Sequence, residues 1–202
     1  MYILSSLFLL LPTLTHQQLP PTTKKHFFNI LAIIPPETPL ANVSTWSLTS
    51  SPLSSTTTPS VPILLTPNRT SGSIFYENGT AETFASRASQ ILTDGDGGVA
   101  WATTLQAPGE ENSQVLLVRA GKGYPGFQVA EWPATVYLET GTWFVCEVGS
   151  EGEGEVVALF WRRKNTRTPE GCSNAELQAW CVEGDGPVEH EFGRRSTCYE
   201  EI

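Results

Sequence analysis

The sequence predicts an all-β protein, an antiparallel β-sandwich or barrel-like sandwich, and three observations carry that prediction. Short apolar runs recur at intervals of roughly 8–12 residues and are cut by Gly and Pro, the pattern of sandwich and barrel strands. Helical periodicity is almost absent. Six tryptophans stand against one methionine. Trp wants an apolar setting and a partner for its indole N–H, which a packed β core supplies.

The length of 202 residues suits one ordinary domain. Residues 1–17 read as a signal peptide: Tyr2 to Leu14 is nearly all apolar, too short to span a bilayer at ~20 residues, and small and polar residues follow for cleavage near Thr15 to Gln17. Residues 18–26 read as an extended lead-in and 27–202 as a single β domain with a Ser/Thr/Pro-rich loop at 50–60. The first strand is Phe27 to Ile34, apolar on both faces and stopped by Pro35-Pro36. Ser44 to Leu48 and Pro62 to Thr66 follow as short strands. Asn78-Gly79, between Ser73–Glu77 and Ala81–Phe84, reads as a type I′ hairpin turn. Val99 to Leu105, Gln114 to Ala120, Phe127 to Trp132 and Thr135 to Glu139 continue the series. The last pair, Thr142–Val148 and Val156–Arg163, is joined by a Gly/Glu tip. Ser173 to Glu183 carries a capping box, Ser173 with Glu176, but the period-2 set Leu177, Ala179, Cys181 favours a strand there.

Composition excludes several function classes. A net charge of −9 without a basic stripe speaks against nucleic-acid binding. No second apolar run reaches transmembrane length, so a soluble product without a transmembrane anchor is expected. No cofactor motif is present: GKGYPG at 121–126 is no phosphate-binding loop, and the acidic turn from Asp94 has Leu105 where a calcium loop needs a carboxylate. No metal site is expected.

Catalytic signals are weak. Removal of the leader leaves only His26 and His190. His190 lies between Glu189 and Glu191, a setting for a base, although bracing a surface turn is the favoured role. Glu147, Glu151, Glu153 and Glu155 cluster at the hairpin tip, which reads as solvated rather than as the carboxylate pair of a glycosidase. Arg162, Arg163, Lys164 and Arg167 form a basic run expected to balance that tip, with an anionic partner as the other reading. Trp101, Trp132 and Trp180 are the candidates for stacking on a ligand, whereas Trp143 and Trp161 sit in continuous apolar strands and belong in the core.

Four cysteines in an exported chain imply two disulfides, and four allow three pairings. Cys146–Cys172 with Cys181–Cys198 is favoured, because it clamps the last strand pair to the following turn and ties the tail to the last long strand. The sequons at Asn42, Asn68 and Asn78 mark candidate glycosylation sites.

The segments Gly141-Thr142-Trp143-Phe144-Val145-Cys146, Leu159-Phe160-Trp161-Arg162, Pro169-Glu170-Gly171-Cys172, Cys181, His190-Glu191-Phe192 and RSTCYE at 195–200 resemble a family of small secreted proteins of filamentous ascomycete fungi, classed as a domain of unknown function. QLPPT at 18–22 and IFYENGT at 74–80 fit the same family. The resemblance implies fungal origin, secretion and paired cysteines, and brings no catalytic residues. The expectation is a secreted, non-catalytic extracellular protein that binds a cell-wall glycan or an extracellular protein. A carbohydrate-active enzyme using paired carboxylates is the alternative.

Overall fold

The computed structural model describes residues 20–50, 61–94, 100–106, 113–120, 123–149, 156–183 and 190–200. The signal peptide at 1–17, nearly all of the Ser/Thr/Pro-rich loop and the glutamate tip at 150–155 lie outside the described residues. In chain order the elements are β1 (Thr22–Lys25), β2 (Phe28–Ile33), β3 (Trp46–Thr49), β4 (Val61–Pro62), β5 (Leu64–Thr66), β6 (Phe75–Asn78), α1 (Ala81–Ala85), β7 (Gln90–Asp94), β8 (Ala100–Leu105), β9 (Ser113–Ala120), β10 (Phe127–Val129), β11 (Thr135–Leu138), β12 (Gly141–Glu147), β13 (Val157–Arg163), β14 (Ser173–Cys181), β15 (Gly193–Arg194) and β16 (Ser196–Tyr199). Short 3-10 turns at Ala41–Val43 and Arg69–Ser71 join strands. Among the described residues no helix is long and apolar enough to cross a membrane.

The strands close on themselves. Pairing runs β14–β12–β13–β5–β3–β2, and β2 pairs back onto β14 over Ile33↔Glu176 to Phe28↔Cys181. A second circuit leaves β2 through β6, β7, β8 and β9 and rejoins at β13. The all-β, barrel-like sandwich is therefore the fold. Closure removes most open edges, which are otherwise templates for aggregation. Side chains alternate where one face is solvated: along β14, Ser173, Ala175, Leu177 and Ala179 are buried while Asn174 and Glu176 are exposed. That period-2 burial is why the strand prevails over the capping-box helix. β2 is apolar apart from Asn29, whose amide donates to Ser73 O at 2.9 Å, with Phe28, Leu31 and Ala32 fully buried. Trp143 and Trp161 join the main core, and the Trp143 indole donates to Val136 O at 3.0 Å.

Both disulfides take the favoured pairing, Cys146–Cys172 and Cys181–Cys198. With partners 26 and 17 positions apart in sequence, each stabilises by about 3 kcal/mol in the chain-entropy account.

Two expectations are corrected. Residues 18–26 are more than a lead-in, since β1 pairs with β16 from Thr22↔Tyr199 to Lys25↔Ser196. Asn78-Gly79 is not a two-residue hairpin turn. Thr80 caps α1 instead, its hydroxyl accepting from Thr83 N at 3.3 Å, and β6 waits for β7, where Asn78 pairs with Gln90. A β-carbon on Gly79 would meet Thr83 Oγ1 at 2.4 Å, so glycine serves close packing onto α1 there. The glutamate tip expected to balance the basic run lies outside the described residues; of its acids only Glu147 is described, at the far end of the β12–β13 pair from Arg163. The β12–β13 register puts Arg163 opposite Gly141 and Val157 opposite Glu147. Six residue steps at ~3.4 Å separate the two ends by about 20 Å.

Candidate functional site

The site is built where β14 changes partners. Its first residues pair with β12, through Trp143↔Ala175, and its middle pairs with β11, through Val136↔Leu177. A groove of about 650 Å³ opens at this handover, a size typical of small-ligand sites. Buried Val136, Leu138, Trp143, Ala175 and Leu177 form an apolar floor. Ile34, Pro35 and Pro36 wall it on one side and Pro133 on the other. Polar groups are few and placed along the rim. The Asn174 oxygen already accepts from Arg162 Nη2 at 3.0 Å and Thr168 Oγ1 at 2.6 Å, which leaves its exposed amide N–H groups to donate outward. Glu176 accepts from Gln178 at 3.1 Å, and Tyr137 donates to Gln128 at 2.8 Å.

Beside Pro133 stands Trp132, 63% exposed. The three candidate stacking tryptophans are not brought together. Trp101 on β8 is half-buried against the main core. Trp180 on β14 lies under the Arg69 guanidinium, 4.7 Å from its ring centre, and 5.5 Å from the Tyr199 ring. That cation–π contact occupies a ring face a ligand would need. Of the three, Trp132, between β10 and β11, is the exposed one, and its sequence neighbour Pro133 lines the groove.

A smaller cleft of about 300 Å³ holds both histidines of the expected mature chain, lined by His26, Phe27, Tyr76, His190, Glu191 and Gly193. His190 stacks on Tyr76 at 4.4 Å and 7°, and its Nε2 lies 2.8 Å from Asp94 Oδ1. Tyr76 donates to the same oxygen at 3.2 Å. Burial first, and the Asp94 charge second, push the Tyr76 phenol well above its ordinary range, so it stays a proton donor. No serine, threonine or cysteine is among the described residues of this cleft. The Tyr76 and Asp94 contacts tie His190, ahead of β15, to β6 and β7. Among the described residues no three metal-ligating side chains gather.

A buried carboxyl braces the same region. Glu77, 4% exposed, accepts from Val129 N at 2.7 Å and from Ser196 Oγ at 2.5 Å. Burial raises its pKa and outweighs both hydrogen bonds, which act to lower it. The carboxylate pair of a glycosidase is not assembled at the groove, where Glu176 is the single acid among the lining residues.

The sequons have different settings. Asn42 and Asn68 are exposed at 3-10 turns, whereas Asn78 is half-buried with its side-chain oxygen enclosed. Sequence reasoning missed Asp94, Glu77 and the groove residues Pro35, Pro36 and Asn174. Asp94 meets His190 across 96 positions, and no local pattern marks such a pair. Pro35-Pro36 signalled a strand end, which is only half of what it does.

Architecture and groove together define a disulfide-stapled β barrel-sandwich with a small-ligand recess at a strand branch. The chain belongs to the family described as domain of unknown function DUF7907, whose model matches residues 39–181. The structure extends beyond that span: β1, β2, β15 and β16 lie outside it, yet β2 closes the barrel. The chain is also similar to the antigenic protein SchS34 of Stachybotrys chartarum, 27% identical over 150 residues, which cover 65% of this chain and 67% of that protein. No solved structure matches.

Proposed function

We propose that this is an exported, non-catalytic fungal binding protein, acting outside the cell or at its surface, and that its groove holds a segment of glycan. The observation that carries the reading is Trp132. A tryptophan 63% exposed and next in sequence to the groove residue Pro133 leaves a large flat ring in water, and sugar rings stack on such faces. Asn174 and Glu176 on the rim supply the donor and acceptor that hydroxyl groups require. Two disulfides and an apolar start support export, as does a relative named antigenic. In that compartment Asn42 and Asn68 carry glycans, and the enclosure of Asn78 favours its remaining bare.

Retention on a panel of immobilised polysaccharides tests this, with Trp132→Ala beside the native chain. Loss of an aromatic contact worth ~1.5 kcal/mol weakens binding about tenfold, while the unfolding midpoint stays put because the ring is exposed. Binding indifferent to Trp132→Ala, or released sugar, defeats the proposal. Export is checked separately by N-terminal sequencing, and a protein that keeps Met1 inside the cell overturns it.

A further inference from the structure

The geometry points to an acidic polysaccharide, a glycan bearing uronate carboxylates, as the ligand of the groove, with its charged units docked on the turn Arg163–Arg167. The inference rests on the groove being a glycan site, and adds the charge of the ligand. The turn is continuous with the groove. Gly141 and Thr142 line the groove, and they pair with Arg163 and Arg162. Lys164 N donates to Thr140 O at 3.0 Å, and Thr166 N closes the turn onto Arg163 O at 3.0 Å. A recess of about 520 Å³ lies there, lined by Thr140, Arg163, Lys164, Asn165 and Thr166. Buried Arg162 fastens turn to groove, donating to Thr166 O and to Asn174, itself a groove residue.

The cations of this turn are free. Arg163, Lys164 and Arg167 are exposed. Among the described residues the ion pairs are Lys24–Glu131, Arg87–Glu139 and His190–Asp94, none of which involves the turn. Glu147, the described member of the glutamate cluster, pairs with Val157 at the opposite end of the β12–β13 pair. A chain of net charge −9 therefore keeps three positive groups within five positions, without an ion-pair partner among the described residues, beside an apolar-floored groove. Two acids border them. Glu170 shares a neighbouring recess with Arg167, and Glu176 sits in the groove. Glu176 repels a carboxylate from mid-groove, so a neutral ring face lies toward Trp132 and the charged units toward the turn.

Affinity electrophoresis in gels containing polygalacturonate, neutral β-glucan or chitin reads this directly. The native protein is expected to be retarded most by polygalacturonate, and less as salt rises. Arg163→Gln/Lys164→Gln/Arg167→Gln is expected to weaken that retardation at least tenfold and to leave the unfolding midpoint unchanged, since all three side chains are exposed. Trp132→Ala is expected to weaken it as well. Equal retardation by neutral and acidic polymers, unaffected by the triple variant, overturns the acidic assignment while the glycan reading survives. Retardation by none of the polymers defeats both, as does capture of an acidic protein in place of any polysaccharide.

Discussion

Replacing Gly141 with alanine is expected to destabilise the fold through overlap alone. Gly141 opens β12, and a β-carbon built on it lies 2.0 Å from both Cε2 and Nε1 of Trp161. Non-bonded carbons prefer ~3.5–4.0 Å, so the added methyl intrudes by roughly 1.5 Å. Trp161 is 8% exposed and belongs to the main core, so its indole has no free space to enter without displacing neighbours. Overpacking costs about 1–3 kcal/mol, and an intrusion this deep belongs at the upper end. At ~2–4 °C per kcal/mol for a domain of this size, Tm falls by about 6–12 °C. Urea unfolding followed by Trp fluorescence gives the same quantity as a shifted midpoint at constant slope. Gly171→Ala is the matched control. Nothing lies within 4 Å of its added carbon, but its φ is +79°, so only backbone strain of ~1 kcal/mol is expected. A Gly141→Ala protein within about 0.5 kcal/mol of the native one, the range of ordinary surface changes, refutes the packing of Trp161 over this glycine.

Other perturbations act on different forces. Burial holds the Glu77 pKa above the usual 4.5; a raised folded pKa gives a contribution that is complete below that value and is lost as pH rises through the folded pKa. Glu77→Gln should flatten the fall in stability over that window, and identical slopes for both proteins in pH-resolved urea titrations count against the account. Cys181→Ser/Cys198→Ser should cost about 3 kcal/mol, read by calorimetry with Cys146–Cys172 left oxidised; a change below ~1 kcal/mol contradicts the entropy estimate. His190→Ala removes the imidazole from Asp94, whose side chain is 8% exposed, at a cost of ~1–3 kcal/mol. Glu191→Gln nearby, at an exposed position, should leave the midpoint unchanged.

What the sequence disclosed was local or statistical. Strand periodicity placed β12, β13 and β14, the continuous apolar runs put Trp143 and Trp161 in the core, and chain proximity favoured the disulfide pairing found. Where it misled, a tertiary choice decided. Asn-Gly has the chemistry of a hairpin turn, but Thr80 offers a helix cap two residues from Asn78, and Gln90 offers the better strand partner. The basic run and Glu147 lie close in sequence, while antiparallel pairing sends Arg163 and Glu147 to opposite ends of one strand pair. The groove draws on residues 33–36, 133–143 and 174–177, so no single stretch announces it. Of three candidate tryptophans, sequence could not foresee that Arg69 covers Trp180.

The pairing of β1 with β16 also has a bearing on biosynthesis. Thr22 is among the first described residues to be made, and its strand partner Tyr199 among the last. Until Ser196–Tyr199 has been translated, β1 has no strand to join and Cys181 has no thiol to oxidise with. Cys146 and Cys172 are both made earlier, so the two bridges are expected to form in that order as the chain is completed. A ribosome that stops before Cys198 releases a chain with a bare strand at its front and a reactive thiol at its back. Completion of the polypeptide therefore closes the sheet edge and the second bridge together.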